Sequence, residues 1–162
     1  MSIQRLTLCP LADKDIPLME EWLQKDYILQ WYHSAEDWLT EIKGRQGQYS
    51  WLHHFIVVNA GLPIGFCQYY DCYDANPIED WYQVTRPHHT YSIDYLIGSE
   101  AHLGKGYGKA IVRLVTQAVQ QTGRAKQIIV QPEEENHASA HVLLANGYVY
   151  NAQNKYYRKK LF

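Results

Sequence analysis

The chain has 162 residues, a formal net charge of −2 and three cysteines, Cys9, Cys67 and Cys72. This charge balance lacks the basic surface that is typical of nucleic-acid binding, and the sequence has no stretch of about 20 apolar residues that could span a membrane. The odd number of scattered cysteines argues against a disulfide framework. With no secretory leader pattern at the N terminus, we expect one domain over residues 1–162 in the reducing cytoplasm, with neither nucleic-acid nor membrane partners.

The first part of the chain carries one strand signal and two helix signals. Residues 3–9 predict a strand, because apolar side chains alternate there. Asp13 or Asp15 can cap a following helix. Ser34 begins a second helix, with Asp37 at capping-box spacing.

The middle of the chain predicts a hairpin, a loop and a strand. The β-rich runs 55–59 and 64–70 flank Ala60-Gly61-Leu62-Pro63, which is a hairpin signal. Residues 71–90 show no periodicity and therefore predict a long loop, and about 20 structureless residues are uncommon unless they are functional. A strand is predicted over residues 91–98.

A glycine-rich run, Leu103-Gly104-Lys105-Gly106-Tyr107-Gly108-Lys109, follows this strand and opens a helix predicted over residues 107–122. Glycines let a backbone approach a ligand closely, and the first turn of a helix leaves its amides unpaired and partially positive. A strand, a glycine turn and a helix in this order favour a pyrophosphate site. The glycine spacing matches neither a P-loop nor a Rossmann fingerprint.

The remaining residues complete the predicted sheet. Residues 127–131 predict a strand, residues 137–146 a helix, and residues 148–150 with 156–161 a closing hairpin. Strands followed by alternating strands and helices indicate the α/β (α+β) class, with a mixed sheet and helices on both of its faces.

Two motifs carry a resemblance to a known superfamily. Leu-Gly-Lys-Gly-Tyr-Gly, residues 103–108, resembles the acetyl-CoA pyrophosphate loop of the GNAT acetyltransferases, with Leu103 in place of the usual Gln or Arg. Residues 136–148, from Asn-His-Ala-Ser to Asn-Gly-Tyr, resemble the superfamily's Asn…Gly-Phe signature. The resemblance implies a mostly antiparallel sheet of about seven strands. In that fold the strand before the glycines splays from the strand at 127–131, and the pantetheine arm enters the gap.

Further segments narrow the resemblance to the aminoglycoside 6′-N-acetyltransferases. They are residues 18–23, Trp31-Tyr32, the strand at 63–70, Trp81-Tyr82 and Ser92-Ile93-Asp94, so that the likeness spans about residues 3–160. It implies an acetyl-CoA-dependent N-acetyltransferase acting on a primary amine of a small polycationic acceptor. The acetyl group would move by direct attack in a ternary complex, and the protein would be a monomer or homodimer.

The resemblance also assigns site residues. Cofactor contacts fall on Leu96, Ile97, Gly98, Leu103, Gly104, Lys105, Gly106, Tyr107, Gly108, Lys109, Asn136 and Ser139. Acceptor contacts fall on Trp31, Gln68, Tyr70, Trp81, Tyr82, Ser92 and Gln131. Acetyl-CoA is the expected co-substrate. No metal is expected, because the His53-His54 and His88-His89 pairs lack ligands at zinc-like spacing.

Asp94 is the candidate catalytic residue. Acetyl transfer to an amine needs a proton acceptor and donors for the oxyanion. Asp94 interrupts an apolar strand, and it faces the cleft if Ile93 and Tyr95 face the core. It would act as the base or hold the cationic amine; the alternative is a strand Asp paired with an Arg or Lys.

Two positions depart from the family pattern. In many members a Tyr four residues before the signature glycine protonates the leaving thiolate, and that position is Leu143 here. An acidic residue of the subgroup corresponds to Gln131. The general acid and one substrate carboxylate are therefore missing by this comparison, which leaves direct thiolate release or water as the acid.

Acidic side chains elsewhere would either gather a polycation or form a solvated surface; they are Asp71, Asp74, Glu79, Asp80, Glu133, Glu134 and Glu135. Two other functions stay open. One is acetylation of a peptide or protein N-terminus, since residues 136–143 resemble ribosomal-protein N-terminal acetyltransferases. The other is a catalytically impaired module that binds acyl-CoA. Cys67 and Cys72 lack the His-paired pattern of a nucleophile.

Overall fold

Seven strands form one sheet within residues 6–162, the part of the chain that the computed structural model describes. In chain order the strands are β1 (Leu6–Pro10), β2 (Leu52–Asn59), β3 (Leu62–Asp71), β4 (Thr90–Ile97), β5 (Gln127–Val130), β6 (Val149–Asn151) and β7 (Tyr156–Lys160). Across the sheet their order is β1-β2-β3-β4-β5-β7-β6. The predicted mostly antiparallel sheet is confirmed, while residues 3–5 of the first predicted strand lie outside the described residues.

Helices cover both faces of this sheet, as predicted. In the described residues they are α1 (Ile16–Trp22), α2 (Asp26–Tyr32), α3 (Ala35–Lys43), α4 (Cys72–Ala75), α5 (Tyr107–Gln120) and α6 (His137–Ala145). The first three share a core with Phe66 and Leu96, and α5 shares the opposite core with Ile64 and Ile93. None of the helices within residues 6–162 is long and apolar enough to cross a membrane.

The alternation of β4 decides which way Asp94 points. Successive side chains of a strand point to opposite faces. Ile93 is 1% exposed and packs in the core with α5, whereas Leu96 packs in the core with α1, α2 and α3. Burying a side chain of this size stabilises the fold by roughly 1.5–3 kcal/mol, so a one-residue slip of register is strongly disfavoured. Asp94 therefore lies on the face covered by the first three helices.

The two central strands separate after a short contact. β4 and β5 are the parallel pair of the described sheet, and they pair only at Thr90 with Gln127 and Tyr91 with Ile128. From Ser92 onward, the edge of β4 that faces β5 has no strand partner among the described residues. The predicted gap between these strands is present, and it opens toward the glycine-rich run.

Side-chain caps fix the ends of the helices that border this gap. The Ser34 hydroxyl accepts a hydrogen bond from the Asp37 amide at 3.2 Å, which begins α3 as predicted. At the start of α6, the Asn136 Oδ1 accepts from the Ser139 amide at 3.1 Å. Each such cap stabilises its helix by about 0.5–2 kcal/mol.

Two helices differ from the sequence-based expectation. The α2 helix was not predicted, and α4 lies within residues 71–90, which were predicted as a loop. Their seven and four residues are too few to show a helical period, and isolated helices of this length are unstable. Tertiary packing holds them instead, because Ile28 of α2 and Cys72 of α4 are buried.

Candidate active site

The glycine-rich run forms a tight turn at the start of α5. Gly104 and Gly106 have φ angles of +72° and +84°, which side chains with a Cβ rarely adopt. Gly106 is the residue that caps α5, so the amides of the first helical turn face the groove beside it. This geometry suits an anion, because the helix N-terminus carries partial positive charge.

A largely apolar groove of about 620 Å³ runs from this turn along β4 between α2 and α6. The predicted cofactor residues that line it are Leu96, Ile97, Leu103, Gly104, Gly106, Tyr107, Gly108, Lys109, Asn136 and Ser139. Lys105 and Gly98 are not among the lining residues. The Gly98 amide donates to the Ile64 carbonyl at 2.8 Å, and a Cβ at Gly98 would overlap the Trp22 indole. Gly98 thus serves the packing of α1 against the sheet.

Backbone groups of β4 point into the gap at every second residue. Because Gly98 bonds to β3, the backbone groups of Ile97 and Tyr95 point away from β3. The Tyr27 hydroxyl donates to the Ile97 carbonyl at 2.6 Å, and the Tyr32 hydroxyl donates to the Tyr95 carbonyl. The α2 helix, which sequence reasoning missed, is therefore attached to the edge of β4 that lines the groove.

A second cavity of about 360 Å³ adjoins the groove on the face covered by α2 and α3. Of the residues predicted to contact an acceptor, Trp31, Gln68, Tyr70, Trp81, Ser92 and Gln131 line it. Tyr82 does not: it lines a separate pocket, and its hydroxyl donates to the Cys72 carbonyl at 3.2 Å. The structure thus brings together six of the seven predicted positions.

Asp94 lies in the wall of this second cavity beside Gln68. The Gln68 Nε2 donates to the Asp94 Oδ2 at 2.8 Å, while the buried Oε1 of Gln68 has no hydrogen-bond partner within residues 6–162. Burial raises the pKa of Asp94 to about 6; the Gln68 hydrogen bond opposes that rise and Glu79 adds to it. No described Lys or Arg forms an ion pair with Asp94, so the geometry does not favour the alternative of a structural ion pair.

Carboxylates dominate the charge of this cavity. Its lining includes Asp37, Glu41, Glu79, Asp94 and Glu133, and no Lys or Arg among the described residues. Burial raises the pKa of Glu41 to about 7, helped by the nearby Asp94, Glu79 and Asp37. Glu133 also contacts the His33 ring at 2.6 Å, across the mouth of the cavity.

Sequence reasoning missed two of these carboxylates. Asp37 was interpreted only as part of a helix cap, and Glu41 was not singled out. Both lie on α3 four residues apart, a spacing that places side chains on one face of a helix. That spacing was the available signal, although nothing local showed that this face would lie opposite Asp94.

The two cysteines of β3 and α4 do not suit a nucleophile. Cys67 and Cys72 are buried, and burial raises the pKa of both thiols, which makes them poor nucleophiles. Within residues 6–162 no group of three or more His, Cys, Asp or Glu side chains is arranged to hold a metal ion.

A glycine turn that suits a phosphate, a groove between splayed strands and an adjoining acidic pocket are together typical of an acyl-CoA-dependent transferase. Residues 12–155 match the family described as the acetyltransferase (GNAT) domain, and the chain belongs to this family. The predicted family is confirmed.

Similar proteins include aminoglycoside 6′-N-acetyltransferases. The aminoglycoside N(6′)-acetyltransferases type 1 of Klebsiella pneumoniae and of Serratia marcescens are each 24% identical over 138 residues, covering 81% of this chain and 67% of theirs. A structure of aminoglycoside acetyltransferase AAC(6′)-Ib in complex with coenzyme A has a TM-score of 0.83 at 20% identity, covering 96% of this chain and 94% of that one. The structure of the same enzyme with ribostamycin and coenzyme A has a TM-score of 0.83 at 20% identity, covering 97% of this chain and 94% of that one. These structures confirm the predicted fold.

Proposed function

We propose that this protein transfers the acetyl group of acetyl-CoA to a primary amine of a small polycationic acceptor of the aminoglycoside type, by direct attack in a ternary complex. The observation that carries the proposal is the junction of the two cavities. Five residues line both the groove and the acidic cavity: Trp31, Tyr32, Tyr95, Asn136 and Ser139. A thioester at the end of the groove would therefore meet an amine held in the acidic cavity.

The groove supports the cofactor assignment. The amides after Gly104 and Gly106 would hold the pyrophosphate, at about 1.5–3 kcal/mol for each charge-assisted hydrogen bond. The amides of Tyr95 and Ile97 lie on the edge of β4 that has no strand partner among the described residues, and they would align the pantetheine arm, while the carbonyls of these residues accept from Tyr32 and Tyr27. Acetyl-CoA supplies the activated acyl group. Relatives solved with coenzyme A point to the same ligand.

The second cavity supports a polycationic acceptor. Several carboxylates without a described Lys or Arg among them raise the local concentration of cations. The aromatic rings of Trp31, Tyr70 and Trp81 add flat surfaces against which a sugar-like ring could pack. A relative solved with ribostamycin takes a ligand of this chemistry.

Asp94 would accept the proton that the amine must lose. A carboxylate whose pKa is about 6 is ionised at neutral pH and still basic enough to take part in proton transfer. Gln68 holds this carboxylate in place through its Nε2. The Asp94 carboxylate would then contact the reacting nitrogen.

A thiol-release assay across amine classes tests the proposal. We expect acetyl-CoA-dependent release of CoA with ribostamycin or kanamycin. We expect no release with short peptides that carry a free N-terminal amine. Release with peptides alone would favour N-terminal acetylation, and binding of acetyl-CoA without release would favour a non-catalytic module. The cytoplasmic location and the monomeric or homodimeric state stay predictions.

A further inference from the structure

The junction between the two cavities limits which side chain can reach a departing thiolate. Of the five residues that line both cavities, Tyr32 is already engaged, because its hydroxyl donates a hydrogen bond to the Tyr95 carbonyl. Asn136 uses Oδ1 to cap α6, and neither its amide nor the indole of Trp31 is an acid at accessible pH. The hydroxyls of Tyr95 and Ser139 remain, and their oxygens lie 2.5 Å apart.

The position that serves as proton donor in many family members cannot serve here. It holds Leu143, which is fully buried in the core with α5 and carries no exchangeable proton. Ser139 lies one turn before it on the same helix, and Tyr95 reaches that turn from β4. The two hydroxyls therefore lie at the junction of the cavities, whereas position 143 faces the core and lines neither of them.

We propose that Tyr95 is the general acid that protonates the departing CoA thiolate, with Ser139 orienting its hydroxyl. The inference rests on the proposed use of acetyl-CoA. As the amine nitrogen bonds to the carbonyl carbon, the carbonyl electron pair moves to oxygen. When that pair returns, the C–S bond breaks and its electrons stay on sulfur. The Tyr95 proton moves to sulfur and the amine proton moves to Asp94. The phenolate then regains a proton from water through Ser139, and Asp94 releases its proton to water, so that no net proton is gained or lost.

The surroundings of Tyr95 keep the phenol protonated. Burial raises its pKa, Asp94 and Tyr157 raise it further, and the Ser139 hydrogen bond opposes the rise. The titratable groups near its side chain are thus Asp94 on the same strand, Tyr157 on β7 and Tyr148, with Tyr32 of α2 at its backbone carbonyl. No Lys or Arg from these elements lines the junction in the described residues. A neutral phenol is the form that donates to a thiolate.

A direct test titrates the thiol of bound CoA by its thiolate absorbance, which needs no acceptor amine. A donor to the thiolate favours the charged form and so lowers the thiol pKa. We expect Tyr95→Phe to raise the bound thiol pKa by about one unit, a tenfold change in its acid dissociation constant. Ser139→Ala should give a smaller rise in the same direction.

The matched control is Tyr148→Phe. Tyr148 is also buried and also pairs with a hydroxyl, Thr116 Oγ1 at 2.8 Å, but it lines neither cavity. This change should leave the thiol pKa at the wild-type value. Equal values for wild type and Tyr95→Phe would overturn the proposal. If Tyr95→Phe fails to fold, an unshifted value in Ser139→Ala overturns it instead.

Turnover supplies the second readout. With an amine that the wild type acetylates, Tyr95→Phe should lower kcat by about 10²-fold or more and leave both KM values within about twofold. Unchanged kcat would remove Tyr95 from the chemistry. If CoA binds but no amine is acetylated, the proposed function fails while the thiol titration still decides the role of Tyr95. If CoA does not bind, both are overturned.

Discussion

Asp94 and Gln68 form the smallest unit that determines the chemistry of this site. A carboxylate whose pKa is raised by burial is less stable in its charged form when folded than when unfolded. The fold tolerates this because Gln68 gives one hydrogen bond and the cavity admits an amine. At this scale a side chain suited to proton transfer reduces stability, and that reduction can be measured.

The free energy of unfolding should depend on pH because of this buried carboxylate. The folded pKa of Asp94 is about 6 against an ordinary value of 3.8, so the destabilisation is absent below pH 4, grows up to pH 6 and is constant above it. We expect Asp94→Asn to raise the free energy of unfolding at pH 7.5 by roughly 1–3 kcal/mol, and by nothing at pH 4. Denaturant unfolding at both pH values measures this. Asp80→Asn, at an exposed position outside the cavity, should change neither value.

Kinetics should separate the two roles that Asp94 can have. If Asp94 is the general base, Asp94→Asn lowers kcat by about 10²–10⁴-fold and leaves acetyl-CoA affinity intact. If it only holds the amine, the change appears mainly in the KM for the acceptor. Steady-state rates with a good acceptor, compared with Asp80→Asn, decide between them. Wild-type kcat and KM in the variant would exclude Asp94 from the mechanism.

At the scale of elements, the sequence contained much of the fold but only part of the site. The hairpin of β2 and β3, the strand β4 and the glycine-capped α5 were predictable, because their periodicity and turn residues are local. Short helices were not, since tertiary contacts stabilise α2 and α4. The acidic cavity needs α3 to lie opposite β4, which no local pattern specifies; Asp37 and Glu41 were missed for that reason.

The two ends of α5 offer a matched pair of glycines. Gly106 at its start and Gly123 beyond its end have φ angles of +84° and +74°, so a side chain strains the backbone at both. Gly106→Val should weaken acetyl-CoA binding at least about tenfold, or 1.4 kcal/mol, because it disturbs the amides of the groove. Gly123→Val should lower the free energy of unfolding by a similar amount and leave the affinity for acetyl-CoA unchanged. Calorimetry with acetyl-CoA would contradict the cofactor assignment if both folded variants bound like wild type.

At the scale of the whole molecule, function depends on two cavities meeting where β4 and β5 separate. The groove is largely apolar and ends in backbone amides, whereas the adjoining cavity is acidic. A formal net charge of only −2 means that basic residues elsewhere in the chain offset the acidity of this cavity. The two ligands should therefore respond differently to ionic strength.

Added salt should weaken binding of the acceptor more than binding of acetyl-CoA. Raising ionic strength shortens the screening length from about 10 Å at 0.1 M toward 3 Å at 1 M, which reduces long-range attraction of a polycation. We expect the KM for ribostamycin to rise more steeply with NaCl than the KM for acetyl-CoA. Glu41→Gln should flatten that dependence, whereas Glu134→Gln, which does not line the cavity, should not. Equal salt effects on both KM values would point to a neutral acceptor.

The central claim is direct transfer from one cavity to the other, and initial-rate kinetics with acetyl-CoA and ribostamycin varied together test it most directly. We predict intersecting double-reciprocal lines, with CoA release and acetylated ribostamycin in equal amounts. CoA release that does not depend on the amine, or parallel lines from a covalent acyl-enzyme, would contradict the account.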